Sequence, residues 1–207
     1  MEEDIKYSLK EEFINAFTHA IGTLLAIYGL VMLVVSSKTP VQTASTAIFG
    51  AMMFIMFQSS TLYHAMVNET AKKVFRKIDH SAIFLLIAGT YTPLLLLVVP
   101  FPNSVALLAM TWYIAVMGIV FSCITLKFKH LNTALYLVMG WLSVLLIFRL
   151  IETNNSDVIF YLIGGGLFYS FGCIFYLLKK YPYMHSIWHL FVLGGAIMHY
   201  FAILALL

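Results

Sequence analysis

Charge is scarce in this chain: Asp, Glu, Lys and Arg make up 10% of its 207 residues, against 62% hydrophobic ones. A soluble domain carries roughly a quarter charged residues, so a water-facing globular protein is excluded. Cysteine is nearly absent too. Cys123 and Cys173 lie within apolar runs and give no disulfide framework; they read as small packing residues. No low-complexity tract, fixed-period repeat or polar segment large enough for a separate soluble domain is present. A cleavable signal peptide is not expected, because residues 1–12 are mixed in charge and the apolar run that follows is too long. The net charge of +3 follows the ends of the apolar runs, so no nucleic-acid partner is expected.

What fills the chain is seven apolar stretches, at 13–36, 41–66, 78–99, 103–126, 131–150, 156–178 and 184–206. Each is close to the roughly 20 residues that a helix needs to cross a bilayer. The reading is an all-α integral membrane protein, a seven-transmembrane helix bundle forming one domain over 1–207. Arg149 and Glu152 limit the outer end of the fifth stretch. Basic residues set the orientation. With the N-terminus cytoplasmic, Lys6, Lys10, Lys72, Lys73, Arg76, Lys77, Lys127, Lys129, Lys179 and Lys180 all fall inside. Only Lys38 and Arg149 fall outside, which predicts the N-terminus in the cytoplasm and the C-terminus outside. Pro93, within Thr90-Tyr91-Thr92-Pro93, should kink the third helix, with the threonines covering freed backbone groups. Gly164-Gly165-Gly166 and Gly194-Gly195 predict close helix approach.

That topology sorts the polar residues by depth. Glu12, Asn15, Thr18 and His19 on the first helix, Ser60 and His64 on the second, and Asp79 and His80 on the third fall in the inner half. So do His185, Ser186 and His189 on the seventh. Ionisable side chains inside a membrane are rare and usually functional. His185 and His189 are one turn apart, their Cβ atoms about 6 Å from one another. With His64 they supply three nitrogens for one metal ion, and zinc suits a histidine cluster with few thiols. Three protein ligands and one open position is the catalytic pattern.

Ser186 stands where the HExxH motif has its glutamate, so a general base must come from elsewhere, and Asp79 is the carboxylate at that depth. Asp79 can equally cap the third helix or pair with Arg76 or Lys77. Ser60 can orient a ligand or bound water, or serve helix packing. Glu12, Asn15 and His19 share a face and read as an interhelical hydrogen-bond network. His80 is about 100° round the helix from Asp79, so the two do not point at one ion. His199 lies about 15 Å beyond His189, out of reach of that metal. His130 reads as a solvated loop residue, and Trp112, Trp141 and Trp188 as belt or core residues.

The runs Glu12-Phe13-Ile14-Asn15-Ala16-Phe17-Thr18-His19, Ser60-Thr61-Leu62-Tyr63-His64, Lys77-Ile78-Asp79-His80-Ser81 and His185-Ser186-Ile187-Trp188-His189 resemble the hemolysin III family. That family is the bacterial branch of the progestin and adiponectin receptor superfamily. The resemblance covers essentially the whole chain. It implies a multipass protein of a bacterial inner (plasma) membrane, with zinc near the cytoplasmic side. His64, His185 and His189 are then the ligands, and Ser60 and Asp79 their polar neighbours, Asp79 acting through a water. Ceramidase-like enzymes in the superfamily imply hydrolysis of a lipid amide, whereas the family name implies lysis of foreign cells.

Two classes of function follow. One is a zinc-dependent hydrolase acting on a lipid-like amide or ester, with Asp79 as base and Ser60 as helper. The other is a non-enzymatic protein with structural zinc: a lipid or membrane-state sensor, a regulator of membrane energetics, or a pore-forming hemolysin. Membrane lipids are the expected partners. Oligomeric state and substrate are not encoded in any motif.

Overall fold

The computed structural model describes residues 7–124 and 129–207, apart from the side chains of residues 129 and 130. The expectations for Lys6, Lys127, Lys129 and the His130 side chain therefore lie outside the described residues. The chain runs as α1 (Leu9–Ser36), α2 (Pro40–Ala65), α3 (Glu69–Val98), α4 (Asn103–Ile124) and α5 (Lys129–Trp141). A 3-10 turn (Leu142–Leu146) leads into α6 (Ile147–Glu152), followed by α7 (Ser156–Leu177) and α8 (Met184–Leu204). Among the described residues there are seven helices long and apolar enough to span a membrane, the fifth being Leu131–Glu152. No strand occurs among them. The protein is a multipass, all-helical integral membrane protein.

Local chemistry starts the helices where they start. At α1, Ser8 Oγ accepts from the Glu11 N–H while the Glu11 carboxylate accepts from the Ser8 N–H at 2.9 Å. At α2, Thr39 and Gln42 make the same reciprocal cap, with Pro40 in the first turn. Asn68 caps α3 by accepting from the Ala71 N–H at 3.0 Å.

That cap moves the start of α3 to Glu69, nine residues before the apolar stretch expected from 78. Lys72, Lys73, Arg76 and Lys77 therefore ride on helical turns, not in a loop. Hydropathy marks the hydrocarbon-depth part of a helix, and the capped polar turns extend beyond it. The second tie at this end is Glu11 Oε1, which accepts from the Tyr183 N–H at 2.9 Å. Tyr183 holds φ = 62° just before α8. The first turns of α1 and α8 are thereby fastened together.

α3 is the most enclosed helix, buried along most of its length from Ser81 to Val98. It continues helical through Pro93. Thr90 and Thr92 donate to the carbonyls of Leu86 and Ala88 at 2.8 and 2.9 Å. The two hydroxyls thus bond one turn back from themselves, and neither takes the carbonyl of Gly89 that Pro93 leaves free. The break in the fifth span also has a side-chain cause. Tyr91 Oη donates to the Met139 carbonyl at 2.8 Å and lies 3.1 Å from that of Gly140, and Ser143 Oγ donates to Gly140 as well. Those acceptors are thus engaged just where regular α geometry gives way. Arg149 and Glu152 pair at 2.8 Å at the end of this span.

Large apolar side chains fill the interior, with Phe49, Phe57, Phe84 and Leu94 almost inaccessible, yet others such as Leu24, Phe148 and Phe160 face outward. In lipid that exterior is matched to its surroundings, so helix association rests on close packing and polar contacts. Gly118 shows the packing requirement: a Cβ there would overlap the ring of buried Phe84. Gly118→Val should therefore cost about 1–3 kcal/mol, read as a lowered unfolding temperature in detergent. Unchanged unfolding would show that the α3–α4 contact has slack.

Candidate metal centre

The last turn of α2 and the first turns of α8 meet at one end of the bundle. There His64, His185 and His189 are all buried, with one nitrogen from each within 4.8 Å of the others. The Nε2 atoms of His64 and His185 are 3.3 Å apart, and those of His185 and His189 3.2 Å. Tetrahedral ligation with metal–nitrogen bonds of 2.0–2.1 Å places neighbouring nitrogens about 3.3–3.4 Å apart. The two spacings therefore fit a single ion between the rings.

The opposite ring nitrogens explain why Nε2 points inward. His64 Nδ1 sits 2.6 Å from Glu12 Oε2, and Glu12 Oε1 accepts from Lys72 Nζ at 2.6 Å. A carboxylate only accepts, so the Nδ1 carries the proton, and in that tautomer the Nε2 lone pair faces the other two rings. His189 Nδ1 likewise lies 3.2 Å from the carbonyl of Asn15. His185 is held by a ring contact instead, with Tyr7 stacked on it at 4.9 Å between centroids. Partners of this kind orient metal-binding imidazoles and raise their basicity. The donor set fits a divalent metal ion on its nitrogen spacings and on the tautomers of His64 and His189.

Asn15 is fully buried and ties the centre to the backbone, its Oδ1 accepting from Ser186 Oγ at 2.5 Å. The α1 face of Glu12, Asn15 and His19 is thus an interhelical hydrogen-bond network in its first two members. His19 departs from that expectation. Both its ring nitrogens are buried without a hydrogen-bond partner, and it stacks flat on His189 at 3.7 Å. It is a packing wall for the ligand ring.

Asp79 and Ser60 line the cavity that opens from His185 and His189, so both reach the centre's surroundings. Ser60 Oγ is buried with no hydrogen-bond partner. Asp79 is not part of the three-nitrogen cluster. His80 Nδ1 bonds to the Arg76 carbonyl at 2.9 Å and lies 3.6 Å from Asp79. His199 lines the far end of the same cavity. Cys173 is buried and Cys123 exposed, both unpaired, and neither belongs to the cluster. Sequence reasoning missed Tyr7 and Lys72 and did not join Glu12 to His64. The shared helical face of Glu12 and Asn15 was a signal that α1 meets the centre, but not which residue it meets.

Three substitutions test this geometry. His185→Ala and His189→Ala should each abolish stoichiometric metal in purified protein, measured by elemental analysis. Glu12→Gln should keep the fold and weaken metal affinity by about 10–100-fold. Undiminished metal in the histidine variants would remove the centre, and unchanged affinity in Glu12→Gln would remove the role of the carboxylate.

Comparison with known proteins agrees with this architecture. The family model described as "Haemolysin-III related" matches residues 7–200. The chain is 42% identical over 200 residues to "Hemolysin-3" of Bacillus cereus, covering 95% of this chain and 91% of that one. It is 42% identical over 202 residues to "Hemolysin-3 homolog" of Bacillus subtilis (strain 168), covering 96% and 95%. A human protein, "Monocyte to macrophage differentiation factor", is 30% identical over 200 residues, covering 93% of this chain and 83% of its own. Seven apolar spans and bacterial relatives matched nearly end to end place the protein in a bacterial membrane, and the chain belongs to the haemolysin-III-related family.

Proposed function

We propose that this protein is an intramembrane zinc-dependent hydrolase of a lipid-like amide or ester, its metal centre near the cytoplasmic face. The observation that carries the reading is the cavity beside the histidines. Its volume is about 120 Å³. Its walls are mostly apolar, with Leu86, Leu162 and Val192 among them, and Asp79 and Ser60 stand at the same end as His185 and His189. A metal centre that only fastened helices would have no need of an apolar chamber or of a carboxylate and hydroxyl lining it.

Zinc, when bound, supplies a Lewis acid for a carbonyl oxygen and acidifies water. The rest falls to the chain. Asp79 takes a proton from the attacking water as its oxygen bonds to the carbonyl carbon. It returns that proton to the departing amine or alcohol as the C–N or C–O bond breaks. Ser60 Oγ, buried beside Asp79 in the cavity wall, hydrogen-bonds the water and aims it. Glu12 and the Asn15 carbonyl keep the ligand imidazoles in register, and Tyr7 covers His185. The apolar walls exclude competing water and hold the acyl chain.

The cytoplasmic placement is supported by Lys10, Lys72, Lys73, Arg76, Lys77, Lys179 and Lys180, which belong to the segments meeting at the histidine end. A reporter enzyme active only outside the cytoplasm, fused after Leu207, should therefore be active; an inactive fusion, with a cytoplasmic reporter active instead, would invert the topology.

A second reading has its own observation. The histidine cluster is buried and joins α1, α2 and α8, as a structural clamp would. In that case the protein is a non-enzymatic sensor, regulator of membrane energetics or cytolysin. Turnover decides between them. Purified wild type should hydrolyse a member of a panel of lipid amides and esters, and Asp79→Asn should retain zinc while losing about 10²–10⁴-fold in rate. Full activity in Asp79→Asn would remove it as the base. No turnover on the panel, together with lost stability on metal removal, would favour the clamp.

A further inference from the structure

The α7–α8 contact holds a polar pair that the metal centre does not use. Tyr169 on α7 and His199 on α8 meet edge to face, their ring centroids 5.4 Å apart. Each ring is admitted by a glycine of the opposite helix. A Cβ on Gly195 would stand 2.7 Å from Cζ of Tyr169, and a Cβ on Gly165 would overlap the imidazole of His199. Two small residues thus make room for two large polar ones, where simple close approach of the helices would need neither ring.

The His199 tautomer follows from its partner. Nε2 lies 3.3 Å from the Leu162 carbonyl, which only accepts, so Nε2 carries the proton and Nδ1 is left as an acceptor. Neither this Nδ1 nor the Tyr169 hydroxyl has a hydrogen-bond partner among the described residues. Both residues line the cavity that begins at His185 and His189. His199 is ten residues beyond His189 on the same helix, about 15 Å along its axis. Both residues face the chamber, so an acceptor and a hydroxyl are open to whatever occupies it.

We propose that Tyr169 and His199 form a second recognition point for a hydroxyl carried on the acyl chain, distant from the carbonyl held at the histidine end. The proposal rests on the reading that the cavity takes an acyl chain. A hydroxyl matches the pair because it can donate to His199 Nδ1 and accept from Tyr169 Oη, whereas a plain methylene chain satisfies neither. An extended chain covers about 1.2 Å per bond, judged from the reach of an extended polypeptide backbone. The spacing therefore calls for a hydroxyl about twelve bonds from the carbonyl. Leu86, Leu162 and Val192 would pack against the intervening methylenes.

The test is a binding measurement that needs no turnover. Octadecanoate and 12-hydroxyoctadecanoate would compete with a fluorescent acyl probe on the purified full-length protein in lipid nanodiscs. Wild type should prefer the hydroxylated chain by about 3- to 10-fold. Tyr169→Phe and His199→Phe, which keep a ring in each slot, should lose the preference while binding octadecanoate as wild type does. Equal affinities in wild type, or a preference that survives both variants, would overturn the recognition point and leave the acyl-chain reading standing. Failure of either chain to displace the probe would overturn both. If His199→Phe proves unstable on a thermal melt, Tyr169→Phe alone decides.

Discussion

The ionised Glu12 carboxylate is the constraint around which the centre is built. It is 14% exposed and lies in the first turn of a membrane-spanning helix, where an unpaired charge is costly. Its two oxygens are each committed at 2.6 Å, one to Lys72 and one to His64. Lys72 supplies the balancing charge, and the imidazole serves Glu12 as an N–H donor. The far nitrogen of that ring is then available to an ion. Short, charge-assisted bonds of this kind are stronger than neutral ones and fix direction as well as distance. Helix α1 contributes no ligand, yet it decides how His64 presents itself.

The same helix decides the other half of the site. Asn15 is one turn along from Glu12, and its carbonyl and side chain reach His189 and Ser186 on α8. One step before Glu12, Glu11 accepts from the backbone of Tyr183 and sets where α8 begins. Successive turns of α1 thus hold α2 and α8 at a fixed rotation, which brings their histidines together. Membrane helices gain little from hiding apolar surface from water, since their surroundings are apolar on both sides. A few directional polar contacts and fitted glycines therefore carry the specificity that a hydrophobic core supplies in a soluble bundle.

This explains which features were legible in the sequence. Hydropathy reports depth, so all seven spans could be read, and depth alone brought His64, His185 and His189 to one level. Boundaries set by caps were less visible. Asn68 starts α3 nine residues before its apolar part, and Tyr91, from another helix, meets the break in the fifth span. Rotation was least legible. Glu12 and His19 lie on one face of α1, but one grips a His64 nitrogen and the other stacks on the His189 ring, and only packing separates the two. Tyr7 precedes the first apolar run, where hydropathy carries no signal, and the cavity is a property of the assembled helices.

The distribution of polar groups along that cavity also bears on what the protein does not resemble physically. Polar side chains gather at the histidine end and again at Tyr169 and His199, about 15 Å away along α8. Leu86, Leu162 and Val192 lie among the residues lining it. An ion path requires coordinating groups at every step across the membrane, because a bare ion cannot pause against hydrocarbon. A proton relay has the same requirement for hydrogen-bonding partners. A mostly apolar chamber with a few polar groups in its wall instead matches the proposed amphiphile, a molecule whose chain is apolar and whose oxygens are few. The proposed hydrolase reading, in which the chamber holds an amphiphile, is consistent with that lining.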